Sequence, residues 1–274
     1  MRRRKSPKMN IFQLSWFILK QNKQLFVPNL LALTFNLLLF LGFFFISGLS
    51  TAIFRNDYEL LGEAFFSVKF LVLIVLYFLI TFFADNYFLT MKYGLIQNVL
   101  LKGKVDLTKG IKFANKYYLT TIGIHILSAL IIFIPLILLA ALLFLLLPFG
   151  NLVAMTLFLP IAIIYFFYIS IRLIFIYPIM TFERKGAYAS LKEDFHFVKS
   201  HLHHTILTWL IVMGIAIFAS IIKENLINAT EMIYSQIVLI GFLVVGAILI
   251  IEISVSVWEH IFIFKSYLVA KKKR

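Results

Sequence analysis

Four charged residues stand inside long apolar runs: Asp85, Arg172, Glu252 and Glu259. A charge at mid-bilayer costs about 2.5–3.5 kcal/mol on translocon scales, so such residues normally face a bundle interior and pair. At about 1.5 Å per residue, Asp85 and Arg172 each fall roughly 10 Å from the centre of their apolar run. Both are displaced toward the end that carries the basic residues. Glu252 falls nearer the middle of its run and Glu259 nearer that same edge. Glu252 and Glu259 are seven positions apart and so share one helical face. Shared depth predicts that Arg172 pairs with Asp85 or Glu252, in a polar cluster opening toward the basic side. Such a cluster can line a substrate or proton path, or it can be a structural ion pair that fixes helix packing. Glu259 has a third option, reaching outward to the interface.

The histidines are weaker candidates. His201, His203 and His204 lie close in sequence, but their spacing does not set three imidazoles on one face, and no acid or thiol stands beside them. No metal site and no cofactor is expected. His125 reads as a hydrogen-bonded packing residue. The chain holds no nucleophile elbow, P-loop or zinc-protease motif, so no catalysis is expected. With no cysteine, disulfide and thiolate chemistry are excluded.

The elements that must position these charges are membrane spans. Hydrophobic residues make up 62% of the chain and charged ones only 14%, against about 25% charged in a soluble domain. Apolar runs of about 18 or more residues are spans. Six are expected, at about 26–46, 68–93, 119–147, 152–180, 205–222 and 233–268. Pro135 should kink the third. Residues 47–67 and 223–231 read as polar loops, and 148–151 as a tight turn closing a hairpin.

Charge placement orients the spans. Of the 26 Lys and Arg, all but Arg55, Lys69, Lys223 and Arg172 fall at the termini, in the even connections or at the span ends that adjoin them. The odd connections hold Asp57, Glu59, Glu63, Glu224 and Glu231. Lys and Arg favour the cytoplasmic side, so both termini are expected there, in a cell membrane. The net charge of +14 is thereby read as orientation. It can also recruit anionic lipid headgroups, at about 1 kcal/mol per surface Lys or Arg. Scattered basic residues without a reading module argue against nucleic acid.

Short amphipathic helices join the spans on the basic side. Leu107, Ile111, Ala114 and Tyr118 form one stripe; Leu191, Phe195, Val198 and Leu202 repeat it 84 positions later. Phe12, Trp16 and Leu19 make a weaker third, suited to the lipid interface. The fold class is therefore all-α, a polytopic single membrane domain. Its repeat units, each an amphipathic helix and two spans, would be 9–105, 106–187 and 188–270. Lys109, Lys112, Lys116, Lys192 and Lys199 on these joints are candidate contacts for lipid headgroups.

The stretch from Pro178 through Glu183 to Gly186, followed by Ala189-Ser190-Leu191 and Phe197-Val198-Lys199-Ser200, resembles a broad group of six-span proteins. These are similar to the membrane domain attached to some glycerophosphodiester phosphodiesterases. That group carries a Pro near the end of span four, then an acid, a Gly and an A-x-x-x-S type helix before span five. Here Ala187 and Leu191 occupy the Ala and Ser positions, so the second departs. The resemblance covers the six-span plan and is motif-like over about 25 residues of it. It implies membrane residence and carries over no catalytic residue, since nothing here corresponds to the phosphodiesterase barrel.

Two functions follow as expectations. One is a non-enzymatic accessory unit of the membrane, associated with lipid, a protein partner or a second copy of itself. The other is a small transporter or channel using the polar cluster. A lipid-processing enzyme rests on the resemblance alone.

Overall fold

A computed structural model describes residues 10–146, 151–233 and 238–272. The described residues form helices joined by short turns, without strands. Six helical stretches are long and apolar enough to cross a membrane: Lys23–Ile46, Val68–Lys102, Leu107–Leu143, Met155–Glu183, Leu202–Asn228 and Leu243–Lys271. The chain is an all-α polytopic membrane protein.

In chain order the helices are α1 (Ile11–Gln21), α2 (Val27–Ile46), α3 (Leu49–Arg55), α4 (Tyr58–Phe66), α5 (Val68–Lys102), α6 (Leu107–Leu146), α7 (Asn151–Arg172), α8 (Ile176–Glu183), α9 (Ala187–Ser200), α10 (Leu202–Ile233) and α11 (Val238–Lys271). Asn10 caps α1 through the Gln13 N–H, Asp57 caps α4 through Leu60, and Ser67 caps α5 through Phe70.

The structure departs from the sequence expectations in several places. The segment 47–67 is not an open loop. It forms α3 and α4, separated by Asn56 in the left-handed region (φ 53°). The basic joint at 107–118 is not a separate interfacial helix, because it is the first three turns of the 40-residue α6. No Pro or Gly-Pro break lies between Tyr118 and the apolar run, so one helix is the cheapest way to satisfy the backbone. By contrast α1 and α9 do end before their spans, at Asn22 and His201. Residues 223–231 continue α10 as helix to Ile233. Span four, expected as one helix, breaks at 173–175. Pro178 has no N–H for the Ile174 carbonyl and its ring clashes there, so the helix restarts as α8. Pro135 and Pro160 are accommodated within α6 and α7. The expected tight turn at 148–151 lies outside the described residues, apart from Asn151, which opens α7.

Burial is uneven along the rods. An α5 of 35 residues is about 52 Å long, against about 30 Å of hydrocarbon. In its first half only Phe70 is buried; from Asn86 to Val99 most side chains are. The second half of α11 is buried likewise, with Trp258, Ile261, Phe264 and Tyr267 all at 0% exposure. The other ends present Leu, Ile and Phe outward, as lipid-facing helices must.

At the packed, basic end, α5, α8 and α11 contact one another pairwise. Each basic-end helical segment packs on the second span of the preceding hairpin. The start of α6 lies on α5, α9 lies on α8, and α1 closes onto α11. Phe12 and Trp16 of α1 therefore meet Trp258, with ring centroids 5.1 and 5.7 Å away, rather than the lipid interface. The start of α6 approaches α5 closely because both sides are glycine. A Cβ on Gly94 would lie 2.6 Å from the Phe113 Cβ, and one on Gly110 2.5 Å from Leu95.

Candidate functional site

The four intramembrane charges do not assemble into one cluster. Asp85 accepts a hydrogen bond from the Asn36 amide at 2.9 Å. Glu252 pairs with Lys223 at 2.5 Å. Glu259 lies in the field of Lys92. Arg172 makes no ion pair with any of the three; its guanidinium lies over the Tyr168 ring at 5.2 Å and its Nη1 3.5 Å from the Phe195 carbonyl of α9. The expected pairing of Arg172 with Asp85 or Glu252 is thus replaced by separate partners. Shared depth is necessary for pairing, but it says nothing about which way each helix turns its face.

Asp85 and Glu252 do share a cavity of about 340 Å³, whose lining also includes Lys92, His125 and Asn86. Lys92 is the residue at its base. It is 4% exposed, and its Nζ donates to Ser256 Oγ at 3.2 Å. A polar row continues from there. His260 Nδ1 lies 2.6 Å from the Ser256 carbonyl, and its Nε2 lies 3.4 Å from the Tyr93 hydroxyl. A second cavity, of about 260 Å³, is lined by Tyr177, Trp209, Glu259 and His260, the last of these a member of the row. Lys92 lines the first cavity, and Glu259, whose charge acts on it, lines the second. His125 meets the edge of Tyr177 at 5.7 Å.

Arg172 belongs to the broken helix. Asp194 on α9 is fully buried against it, and neither carboxylate oxygen has a hydrogen-bond partner. Burial holds this acid well above the usual carboxylate range; the Phe175 N–H and the Arg172 charge offset part of that. Neither makes a hydrogen bond to the carboxylate oxygens. The backbone donor that acts on the side chain is the N–H of Phe175, the residue before α8, whose side chain is itself buried.

Glu183, the last residue of α8, ties three segments together. It accepts from Tyr267 at 2.5 Å and from Lys271 at 2.7 Å, and pairs with Lys185 at 2.7 Å. Lys185 also reaches Glu193 at 3.1 Å, and these two carboxylates raise its pKa above the ordinary lysine value.

Lys109, Lys112 and Lys116, spaced three and four apart on α6, line a cavity of about 360 Å³ at the basic end, together with Lys102 and Arg184. Lys192 and Lys199 are exposed on α9. His201 Nδ1 lies 3.0 Å from the Phe197 carbonyl, while His204 Nε2 lies 2.8 Å from Ser266 Oγ. Both act as local hydrogen-bonding groups.

No protein-family model, curated protein or solved structure matches the chain.

Sequence reasoning missed Lys92, Asp194 and Glu183. Lys92 was legible in principle: it lies seven residues after Asp85, hence on the same face, as Glu259 does relative to Glu252. It was counted instead with the basic connection that follows. Asp194 carried no such signal, because α9 reads as an exposed amphipathic helix, and Glu183 stood out only as the acid of the stretch that carries the resemblance.

Proposed function

We propose that this integral membrane protein is a non-enzymatic accessory unit that associates with anionic lipid at the cytoplasmic face of a cell membrane. One observation carries the reading. Among the described residues the helices pack into a core near their basic ends, where Lys109, Lys112, Lys116, Lys192 and Lys199 all remain exposed. At the other ends apolar side chains face outward. A protein built this way keeps its rigid part beside the headgroups, where each Lys or Arg gains about 1 kcal/mol from an anionic leaflet. The resemblance to phosphodiesterase membrane domains agrees with membrane residence. The same surfaces leave room for a protein partner or a second copy.

Mass spectrometry of lipids that stay with the detergent-purified protein tests this. Anionic phospholipid enriched over its share of the source membrane supports the reading; retention in proportion to that share contradicts it.

A second reading, a small transporter or channel, is favoured by the cavity that Asp85, Lys92 and Glu252 line together. Its test is solute flux in proteoliposomes, comparing the native chain with Glu252→Gln. Flux that survives the substitution unchanged counts against a path through that cavity.

A further inference from the structure

We infer that the basic-end cavity between α5, α6 and the α8–α9 turn is a binding site for a phosphate-bearing anion. The inference rests on the lipid-associated reading and narrows it to one site and one chemistry.

The cavity, of about 360 Å³, gathers five cations from three segments: Lys102 at the end of α5, Lys109, Lys112 and Lys116 on α6, and Arg184. Lys109 is answered by Asp106 at 3.2 Å. The other four have no carboxylate partner among the described residues. No acid lines the cavity. Four like charges drawn to one concavity repel each other, and a bound anion removes that cost. Scattered lysines that only orient a chain would point apart into water.

The walls are fixed rather than adaptable. Gln97 donates its amide to the Thr181 carbonyl at 2.6 Å, which holds α8 and the following turn against α5. Asn98 donates to the Lys104 carbonyl at 2.9 Å, which fixes the connection between α5 and α6. Arg184 ends α8 in the left-handed region (φ 56°), an uncommon backbone for a non-glycine residue. Phe113 and Tyr117 supply an apolar side, and Leu101, 62% exposed, stands at the rim.

Four unanswered cations match a group with more than one negative charge. A phosphate monoester carries about 1.5 to 2 at neutral pH, whereas a diester carries one. Guanidinium adds bidentate geometry for phosphate oxygens. The anion can be the headgroup of a monoester lipid, with its chains along Leu101 and Tyr117, or a soluble phosphate.

The experiment uses the full chain in nanodiscs of neutral phosphatidylcholine. Melting temperature is read after adding phosphatidic acid to the bilayer, phosphatidylglycerol to the bilayer, or inorganic pyrophosphate to the buffer. Two double variants are compared: Lys112→Gln with Arg184→Gln in the cavity, and Lys192→Gln with Lys199→Gln on α9. They remove equal charge. The expected result is stabilisation by phosphatidic acid greater than by phosphatidylglycerol, with apparent affinity about tenfold weaker in the cavity variant and little changed in the α9 variant. Stabilisation by pyrophosphate alone, lost in the same variant, supports the site and assigns it to a soluble anion. Equal weakening in both variants overturns the site yet leaves general lipid association standing. No stabilisation by any of the three overturns the site as well.

Discussion

Tyr93 and Tyr177 pack ring against ring in a tilted pair, centroids 4.9 Å apart and planes at 31°, although 84 positions separate them in the chain. The same interval separates Gln97 from Thr181 and Glu183 from Tyr267, and both of those pairs are hydrogen bonded. Ile96, Met180 and Phe264, also spaced by that interval, are each at 0% exposure. Tyr93 is 1% exposed and its hydroxyl faces His260. Tyr93→Phe should therefore cost about 1 kcal/mol, the value of a buried hydrogen bond. Tyr93→Ala should cost about 4 kcal/mol, through the cavity it leaves. Thermal unfolding of the detergent-solubilised protein checks both, and equal effects would show that the ring is not what matters.

The contact between α5 and α6 depends on the missing side chain at Gly94. An added methyl would meet the Phe113 Cβ at 2.6 Å, and a Cβ cannot rotate away as a side-chain tip can. Gly94→Ala should destabilise by about 2 kcal/mol despite alanine's better helix propensity. Gly62→Ala is the matched control, since a Cβ there meets nothing within 4 Å. It should be neutral or slightly stabilising in the same melting assay.

Asp194 makes stability depend on pH in a definite direction. Its carboxyl is held well above the usual range by burial in the fold, and returns to about 3.9 when the chain unfolds. Between those values the folded state binds the extra proton, so stability falls as pH rises through the window and levels off above the folded value. Asp194→Asn keeps the shape and removes the ionisation. The variant should be at least as stable as the native chain near neutral pH, with a flatter profile across that window. A steeper profile in the variant would contradict the burial argument.

Lys92 and Glu259 should be coupled. Each is the other's main opposing charge inside the bundle. Lys92→Met and Glu259→Gln, made singly and together, form a double-mutant cycle. A coupling of about 1 kcal/mol is expected, because either single change leaves one charge without its partner. An additive double variant would mean that Ser256 alone holds the ammonium.

The span count was readable from the chain because it depends on length and composition, which bilayer thickness constrains tightly. The separate α1 and α9 were readable from their apolar stripes. The pairing of charges was not, because depth along a helix follows from counting residues while the direction of a face follows from packing. Arg172 illustrates this: it shares its depth with Asp85, but turns toward Tyr168 and α9. Lys92 shows the converse, a residue inside the expected second span that the charge count took with the basic side and that α5 carries into the core. Asp194 could not be foreseen, since only the break imposed by Pro178 creates the surface it faces.

The account depends most on which side of the membrane holds the basic end. The chain has no native cysteine, so single cysteines can be introduced one at a time and probed in intact cells with an impermeant thiol reagent. Asn56→Cys should be labelled from outside, whereas Lys104→Cys and Lys192→Cys should react only after the membrane is opened. Labelling of Lys104→Cys and Lys192→Cys in intact cells, with Asn56→Cys protected, would place the lysines on the wrong leaflet and contradict the proposed association with anionic lipid.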